Sequence, residues 1–274
     1  MNSRNGANAA SLLALALFGA LPLAAQAQSA GDAWKWNATI YGWFPAFGGS
    51  TSFPATGSGP SIDVSTQDVL DALKMAFMGS LEAKKGKWGL WTDLVYADFG
   101  SDKSGSRDFT IGHGQIPVGV SANLNLDLKN WIWSTAGLYS LADKPEGTAD
   151  LLFGARMLDM DQTLNWSITG TIPGLPPAAQ SGTATASTNN WDAIVGVKGR
   201  IRLGTEGKWF IPYYLDIGTG ESRFTWQGVA GIGYQFGWGS VIAAWRYLDY
   251  DFKSGQVVES LNMNGGAIGV QFSF

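Results

Sequence analysis

Residues Asn262–Phe274 read NMNGGAIGVQFSF. From Ala267 the side chains alternate: Ile268, Val270, Phe272 and Phe274 share one face, and Ala267, Gly269, Gln271 and Ser273 the other. A period of two is the signature of a strand, here with one apolar face and one small or polar face. Two architectures can end this way. One is a soluble all-β protein whose last strand lies in an ordinary sheet. The other is a closed barrel whose last strand pairs with its first.

The same alternation recurs upstream. Strand one, Ala33 to Phe44, sets Trp34, Trp36, Ala38 and Ile40 against Lys35, Asn37, Thr39 and Tyr41. Strands two and three, Leu73 to Lys84 and Trp88 to Phe99, repeat the pattern around a tight turn at Lys85-Gly86-Lys87. Strand four covers about Asn123 to Leu141, and strand five runs from Thr148 towards Trp166. Strand six is Trp191 to Leu203; strands seven, eight and nine begin at Trp209, near Arg223, and at Val241. The stretch Asn262–Phe274 supplies the tenth. Ser65-Thr66-Gln67-Asp68, followed by Val69, Leu70 and Leu73, predicts a short helix capped by Ser65, folded into or over a barrel mouth.

The connections sort by length. Long polar stretches follow strand one (Pro45 to Thr66), strand three (about Gly100 to Val118), strand five (about Thr169 to Thr188) and, less so, strand nine (Lys253 to Ser260). Tight turns follow strands two, four, six and eight. Outer-membrane barrels have an even strand count, short turns on one side and long loops on the other. A soluble sandwich has no reason to sort its loops this way.

Charge sorts by face. One face of the strands is apolar, with Trp and Tyr near the strand ends. The other carries Glu82, Asp93, Asp127, Asp150, Asp192 and Asp216 against Lys74, Lys129, Arg156, Lys198, Arg200, Arg202, Arg223 and Arg246. A soluble barrel would put its charge outside. The reading is therefore an all-β chain forming a single antiparallel transmembrane β-barrel of about ten strands, with eight or twelve as neighbours. Ile268, Val270, Phe272 and Phe274 face lipid on the strand that closes it. That strand would set its small residues beside the bulky inward Tyr41 and Trp43 of strand one.

The amino terminus predicts export. Arg4, the apolar run Leu12 to Ala25 and Ala25-Gln26-Ala27 make a signal peptide over residues 1–27, leaving residues 28–274 as the barrel. The apolar run is too short for a spanning helix and is interrupted by Pro22. With 274 residues, 37 Gly, no Cys and a formal charge of -4, the chain has room for one large all-β domain. Its scattered Lys and Arg give no basic patch for nucleic acid.

Several of these residues carry a family resemblance. Trp191-Asp192 with Gly196 and Arg200, Asp216-Ile217-Gly218, Ser222 with Thr225-Trp226-Gln227, Gly231-Ile232-Gly233-Tyr234 with Phe236, and Trp245-Arg246-Tyr247-Leu248-Asp249-Tyr250 resemble a family of proteobacterial outer-membrane β-barrel proteins, of the OmpA-like and porin-like kind. Gly266 to Phe274 also fits, and Gly154-Ala155-Arg156 and Gly86-Lys87-Trp88 to Asp93 fit more weakly. Trp245-Arg246 departs from the commoner Tyr-Arg. The resemblance implies a fold, an outer-membrane location, contact with outer-membrane lipid and lipopolysaccharide, and a terminal strand read by the barrel-insertion machinery. It implies no activity.

The sequence predicts no enzyme, cofactor or metal. A Ser/His hydrolase needs a histidine base, and the one histidine, His113, lies in a Gly-rich loop. Asp159/Asp161 and Asp249/Asp251 place carboxylates two apart, in solvated rim positions or, alternatively, as cation ligands. The inward charges either line a narrow pore for small solutes or form a salt-bridged, filled lumen. Ten strands enclose little space, and Trp91, Trp131, Trp133, Tyr139 and Tyr214 are expected to point inward and fill it. The chain reads best as a barrel of structural or loop-mediated role, with a narrow porin-like channel and a rim hydrolase as the alternatives.

Overall fold

The computed structural model describes residues 33–51, 61–100, 120–170, 178–204, 206–254 and 258–274. The expected signal peptide and His113 lie outside them. Eleven strands and one helix follow in chain order: β1 (Lys35–Thr51), β2 (Ser61–Val64), α1 (Thr66–Ala72), β3 (Leu73–Lys85), β4 (Trp88–Gly100), β5 (Val120–Lys144), β6 (Gly147–Gly170), β7 (Ala178–Leu203), β8 (Trp209–Gly220), β9 (Ser222–Gln235), β10 (Ser240–Phe252) and β11 (Val258–Ser273). Each long strand is antiparallel to its neighbours, and β11 pairs with β1. Ten strands thus close a barrel. The short β2 adds only to the end of β1, at Phe47↔Val64 through Ser50↔Ser61.

Closure follows the residues that predicted it. Gly269 lies across from Tyr41, and Ala267 across from Trp43. Trp36 and Phe274 exchange both backbone bonds, at 2.8 and 3.0 Å. A Cβ at Gly269 would stand 2.7 Å from the Tyr41 Cβ, so this ladder position accepts only glycine beside the large ring.

The Lys35 end of β1, the Ser273 end of β11 and the tight turns share one rim, here the lower. At the Lys85–Trp88 turn Gly86 has φ +59°, the left-handed region that glycine enters without strain. Ser65 caps α1 at the upper rim, its Oγ accepting the Asp68 N–H at 3.3 Å. Val69 is buried against Ala97 and Phe99, inward residues of β4, so the helix fills the barrel mouth.

Two expectations are corrected here. The stretch Pro45 to Thr66 is not all loop: β1 continues to Thr51, and β2 lies within it. The small and polar residues from 178 onward are strand, not loop. Thr183, Thr185 and Ser187 pair with Asn165, Thr163 and Asp161 of β6, and Thr183 Oγ1 donates to Asn165 Oδ1 at 2.8 Å. β-branched Thr suits a pleated ladder as well as Val does, but low hydrophobicity hides it. β5, β6 and β7 therefore reach 25, 24 and 26 residues, far beyond the about 9–11 that cross a bilayer.

Outside, aromatic pairs form two rings. The lower holds Trp88 with Tyr139, Trp209 with Tyr234, and Phe236 with Trp238. The upper holds Tyr96 with Trp131, Trp133 with Trp191, and Trp226 with Tyr247. Ile40, Leu90, Phe153, Val195, Leu215 and Ile232 are exposed between them. Trp88 to Tyr96, Trp131 to Tyr139 and Trp226 to Tyr234 span the same stretch of strand, roughly 26 Å along its axis. At the tilt of about 35–45° usual for such strands, the rings bound a band about 20 Å tall, close to that expected of an outer-membrane barrel.

Candidate functional site in the barrel lumen

Because side chains alternate across a strand, every second residue projects into the lumen. There they stack in tiers. In the lowest, Lys84 Nζ bonds both Asp150 oxygens at 2.7 Å, and Lys198 pairs with Glu82. Asn37 Nδ2 donates to Glu82 Oε1 at 3.2 Å. Arg200 donates to Gln271 Oε1 at 2.9 Å and lies over the Phe210 ring. Trp91, Leu138, Leu152, Ile194 and Tyr214 pack beside this tier, and the Lys198 ammonium sits 5.0 Å from the Trp91 ring centre.

The middle tier is two arginine clusters. Arg156 on β6 pairs with Asp216 on β8, both fully buried, and donates to Ser134 and Thr225 at 3.3 Å each. Tyr214 donates to the same carboxylate. Arg246 on β10 reaches Asp93 on β4 at 3.0 Å, Gln227 at 2.9 Å and Tyr41 Oη at 2.7 Å. Tyr41 in turn donates to Asp93 at 2.7 Å, and Arg246 stacks 4.7 Å over Trp43. A buried charge is tolerable only when paired and hydrogen-bonded, which is why each arginine gathers three or more partners. Higher up, Asp192 accepts the Ser222 N–H at 2.8 Å and Asn190 Nδ2 at 2.7 Å.

Apart from this Asp192 cluster and Asn130, the lumen above the arginines is apolar. Trp43, Val95, Ile132, Leu158, Leu248, Tyr250, Leu261 and Met263 form one buried cluster. In the upper part of this cluster the chain neighbours on the outer face are polar: Asp159 beside Leu158, Asp249 between Leu248 and Tyr250, and Asn262 and Asn264 flanking Met263. The barrel is thus inverted along its height, apolar outside and charged inside below, charged outside and apolar inside above.

This inversion sorts the expected inward charges. Glu82, Asp93, Asp150, Arg156, Asp192, Lys198, Arg200, Asp216 and Arg246 do face the lumen. Asp127 does not: it is opposite Gly100 on the outer parity and pairs with Lys74 at 3.3 Å. Lys74 itself sits at a register shift of β3. Lys129 shares the outer parity of Asp127. Arg202 is exposed and donates to the Pro145 carbonyl at the lower rim. Arg223, 71% exposed, pairs with Asp251. Trp131, Trp133 and Tyr139 also face outward, in the aromatic rings, while Ile132, Ala136 and Leu138 of the same strand point in. Polarity had assigned the faces of β5, and above the apolar band polarity reverses its meaning. Lys84, Asn190, Ser134 and Ser222 were missed. The alternation that carries Glu82 inward carries Lys84 inward too, so that signal was present.

Ile268, Phe272 and Phe274 are exposed as expected, and Val270 lies between Ile40 and Val241 on the same outer face. Asp159 accepts from Asn189 at 2.7 Å and Asp249 from Tyr247 at 3.3 Å. Among the described residues, no group of three or more His, Cys, Asp or Glu is placed to hold a metal ion.

No family model matches the chain, and no curated protein sequence matches it. Its fold is similar to that of the outer membrane protease OmpT from Escherichia coli, at 9% identity and a TM-score of 0.46, over 91% of this chain and 99% of that one. It is also similar to Ail, the attachment invasion locus protein of Yersinia pestis, at 8% identity and a TM-score of 0.35, over 89% and 99%. The translocator domain of the autotransporter NalP from Neisseria meningitidis aligns at 13% identity and a TM-score of 0.28, over 89% of each chain. Identities of this size assign no role; the fold stands on the chain's own strand ladder.

Proposed function

We propose that the chain is an integral barrel of the Gram-negative outer membrane with a closed, non-conducting lumen, acting as a structural protein or through its upper extension. The observation that carries this reading is the pair of arginine clusters. Arg156 joins β6 to β8, and Arg246 joins β10 to β4 and β1, so the lumen is cross-tied at mid-height by side chains with no room to turn aside. The apolar cluster and α1 then lie above them. The outer surface supports the location: an exposed apolar band between two aromatic rings suits lipid. Its contacts would be outer-membrane lipid and lipopolysaccharide, and Phe274 would present the terminal strand to the insertion machinery during assembly. The proposal includes no catalysis and no cofactor.

Single-channel recording on purified protein in planar bilayers tests the lumen. The expected result is silence at all holding potentials. Regular ohmic steps would replace this reading with that of a narrow channel for small solutes. The absence of catalysis is checked by hydrolysis assays on lipid and peptide substrates: an activity lost in His113→Ala would overturn it.

A further inference from the structure

The barrel wall has a gap. β1 and β3 are hydrogen-bonded only from Lys35↔Lys84 to Ile40↔Gly79. Above that pair β3 continues along β4 to Leu73↔Phe99, and β1 continues along β11. β1 gains a partner on its other edge only at Phe47, where β2 begins. Between them Tyr41–Ala46 faces Leu73–Met78 with no ladder.

In lipid an open strand edge is costly, because nothing there satisfies its N–H groups. This edge is adapted to it. The Trp43 N–H donates across the gap to the Met78 thioether at 3.1 Å. Two residues on, where the alternation aims the next N–H at the gap, the residue is Pro45, which has none. Ala76, on the inner parity of β3, is exposed through the opening.

Behind the gap is a cavity of about 150 Å³, its lining including Trp43, Met78, Val95, Ala97, Phe99 and Met263. An apolar cavity of about this size stays dry and can hold a benzene-sized hydrocarbon. Asn130 also lines it; its Oδ1 is buried and accepts no hydrogen bond. The approach is lateral. From above, α1 with Phe47, Phe99 and Leu128 shuts the mouth. From below, Arg246 lies over Trp43. Sideways, Phe44 and Leu70, 39% and 41% exposed, stand at the opening. Phe77 beside it is the ladder partner of Tyr96 in the upper aromatic ring, so the opening lies at the outer boundary of the apolar band.

We propose that this opening admits and binds the end of a lipid acyl chain from the surrounding membrane. The proposal rests on the membrane reading above. The occupant follows from the access: the open side meets the upper edge of the lipid band, the lining is almost wholly apolar, and the routes to water above and below are packed.

The test reconstitutes the full chain in phosphatidylcholine vesicles doped with a phospholipid carrying a diazirine near the end of one acyl chain. Crosslinks are then mapped by mass spectrometry. Leu90 and Ile232 on the outer face report ordinary lipid contact. Val95, Asn130 and Met263 face inward and are labelled only by a chain that has passed the wall. Label on these three is expected, and Ala76→Phe, which fills the opening, should reduce it about tenfold while leaving Leu90 and Ile232 unchanged. Ala97→Leu, which fills the cavity from the adjacent strand β4, should do the same, with folding of both variants checked by heat-modifiable gel migration. Label on Leu90 and Ile232 but not inside, or inner label that neither filling variant lowers, overturns the acyl-chain site alone. Absence of label on Leu90 and Ile232 as well overturns the membrane reading, and the site with it.

Discussion

Arg246 Nη2 lies 3.0 Å from Asp93 Oδ2, joining β10 to β4 across the lumen. Tyr41 of β1 completes a triangle, accepting from the arginine and donating to the carboxylate. Three strands distant in sequence thus meet on one buried charge pair. Removing one partner leaves the other charge buried and uncompensated, which costs about 3–5 kcal/mol. Asp93→Ala is expected to lower the stability of the folded barrel by that amount, measured by urea titration of the heat-modifiable band. Asp93→Leu with Arg246→Met, which removes both charges, should recover most of the loss. A cost below about 1 kcal/mol for the single change would mean the pair is solvated in a way the packing does not show.

Two adjacent glycines of β11 test closure. A Cβ at Gly265 would stand 2.1 Å from the Phe44 carbonyl, whereas one at Gly266 meets nothing within 4 Å. Gly265→Ala is expected to cost about 1–3 kcal/mol, as forced overpacking does. Gly266→Ala should be neutral or slightly stabilising, since it only narrows the unfolded ensemble. Equal effects at the two positions would argue against the register that pairs Gly266 with Phe44.

The inversion of polarity along the barrel explains what could be read from the chain. Alternation gave ten barrel strands and the closing pair, because a period of two depends only on backbone geometry; the Gly-containing turns and the Ser65 cap gave the tight turns and the helix. Assigning the alternating faces required a second premise, that polar means inward. It held for Asp93, Arg156, Asp216 and Arg246, which lie at lipid height. It failed for Asp127, Lys129, Trp131 and Trp133, because water, not lipid, surrounds the upper part of β5, and the girdle tryptophans sit at the change. Cysteines placed singly in this cysteine-free chain test it. Lys129→Cys should react with a membrane-impermeant maleimide in intact vesicles, and Leu90→Cys should not. Protection of the thiol in Lys129→Cys would return that face to the lumen.

Exposure should separate the charges that share a sign and a strand pattern but not an environment. Arg223 pairs with Asp251 while 71% exposed, and Arg156 with Asp216 while fully buried. An exposed pair contributes about 0–1 kcal/mol and is screened by salt. Arg223→Ala is therefore expected to shift the urea midpoint marginally, and not at all at about 1 M salt. Arg156→Ala should behave like Asp93→Ala, with a loss that salt does not remove. A large loss in Arg223→Ala that salt does not remove would place that side chain in the lumen after all.

The helix in the mouth depends on one cap. Ser65 Oγ accepts the Asp68 N–H and donates back to the Asp68 carboxylate at 2.7 Å, and Val69 N–H closes the first turn on the Ser65 carbonyl at 3.0 Å. A helix this short holds no stability of its own, so it persists through the cap and the burial of Val69 against Ala97 and Phe99. Replacing a serine cap by alanine costs about 1 kcal/mol. Because the helix can open without disturbing the ladder, the loss should be local. In Ser65→Ala the Val69 amide is expected to exchange about fivefold faster, the factor that about 1 kcal/mol corresponds to, while amides in β6 and β10 keep their protection. If β3 and β4 lose protection together with Val69, the helix is an integral part of the barrel's cooperative unit rather than a separately opening plug.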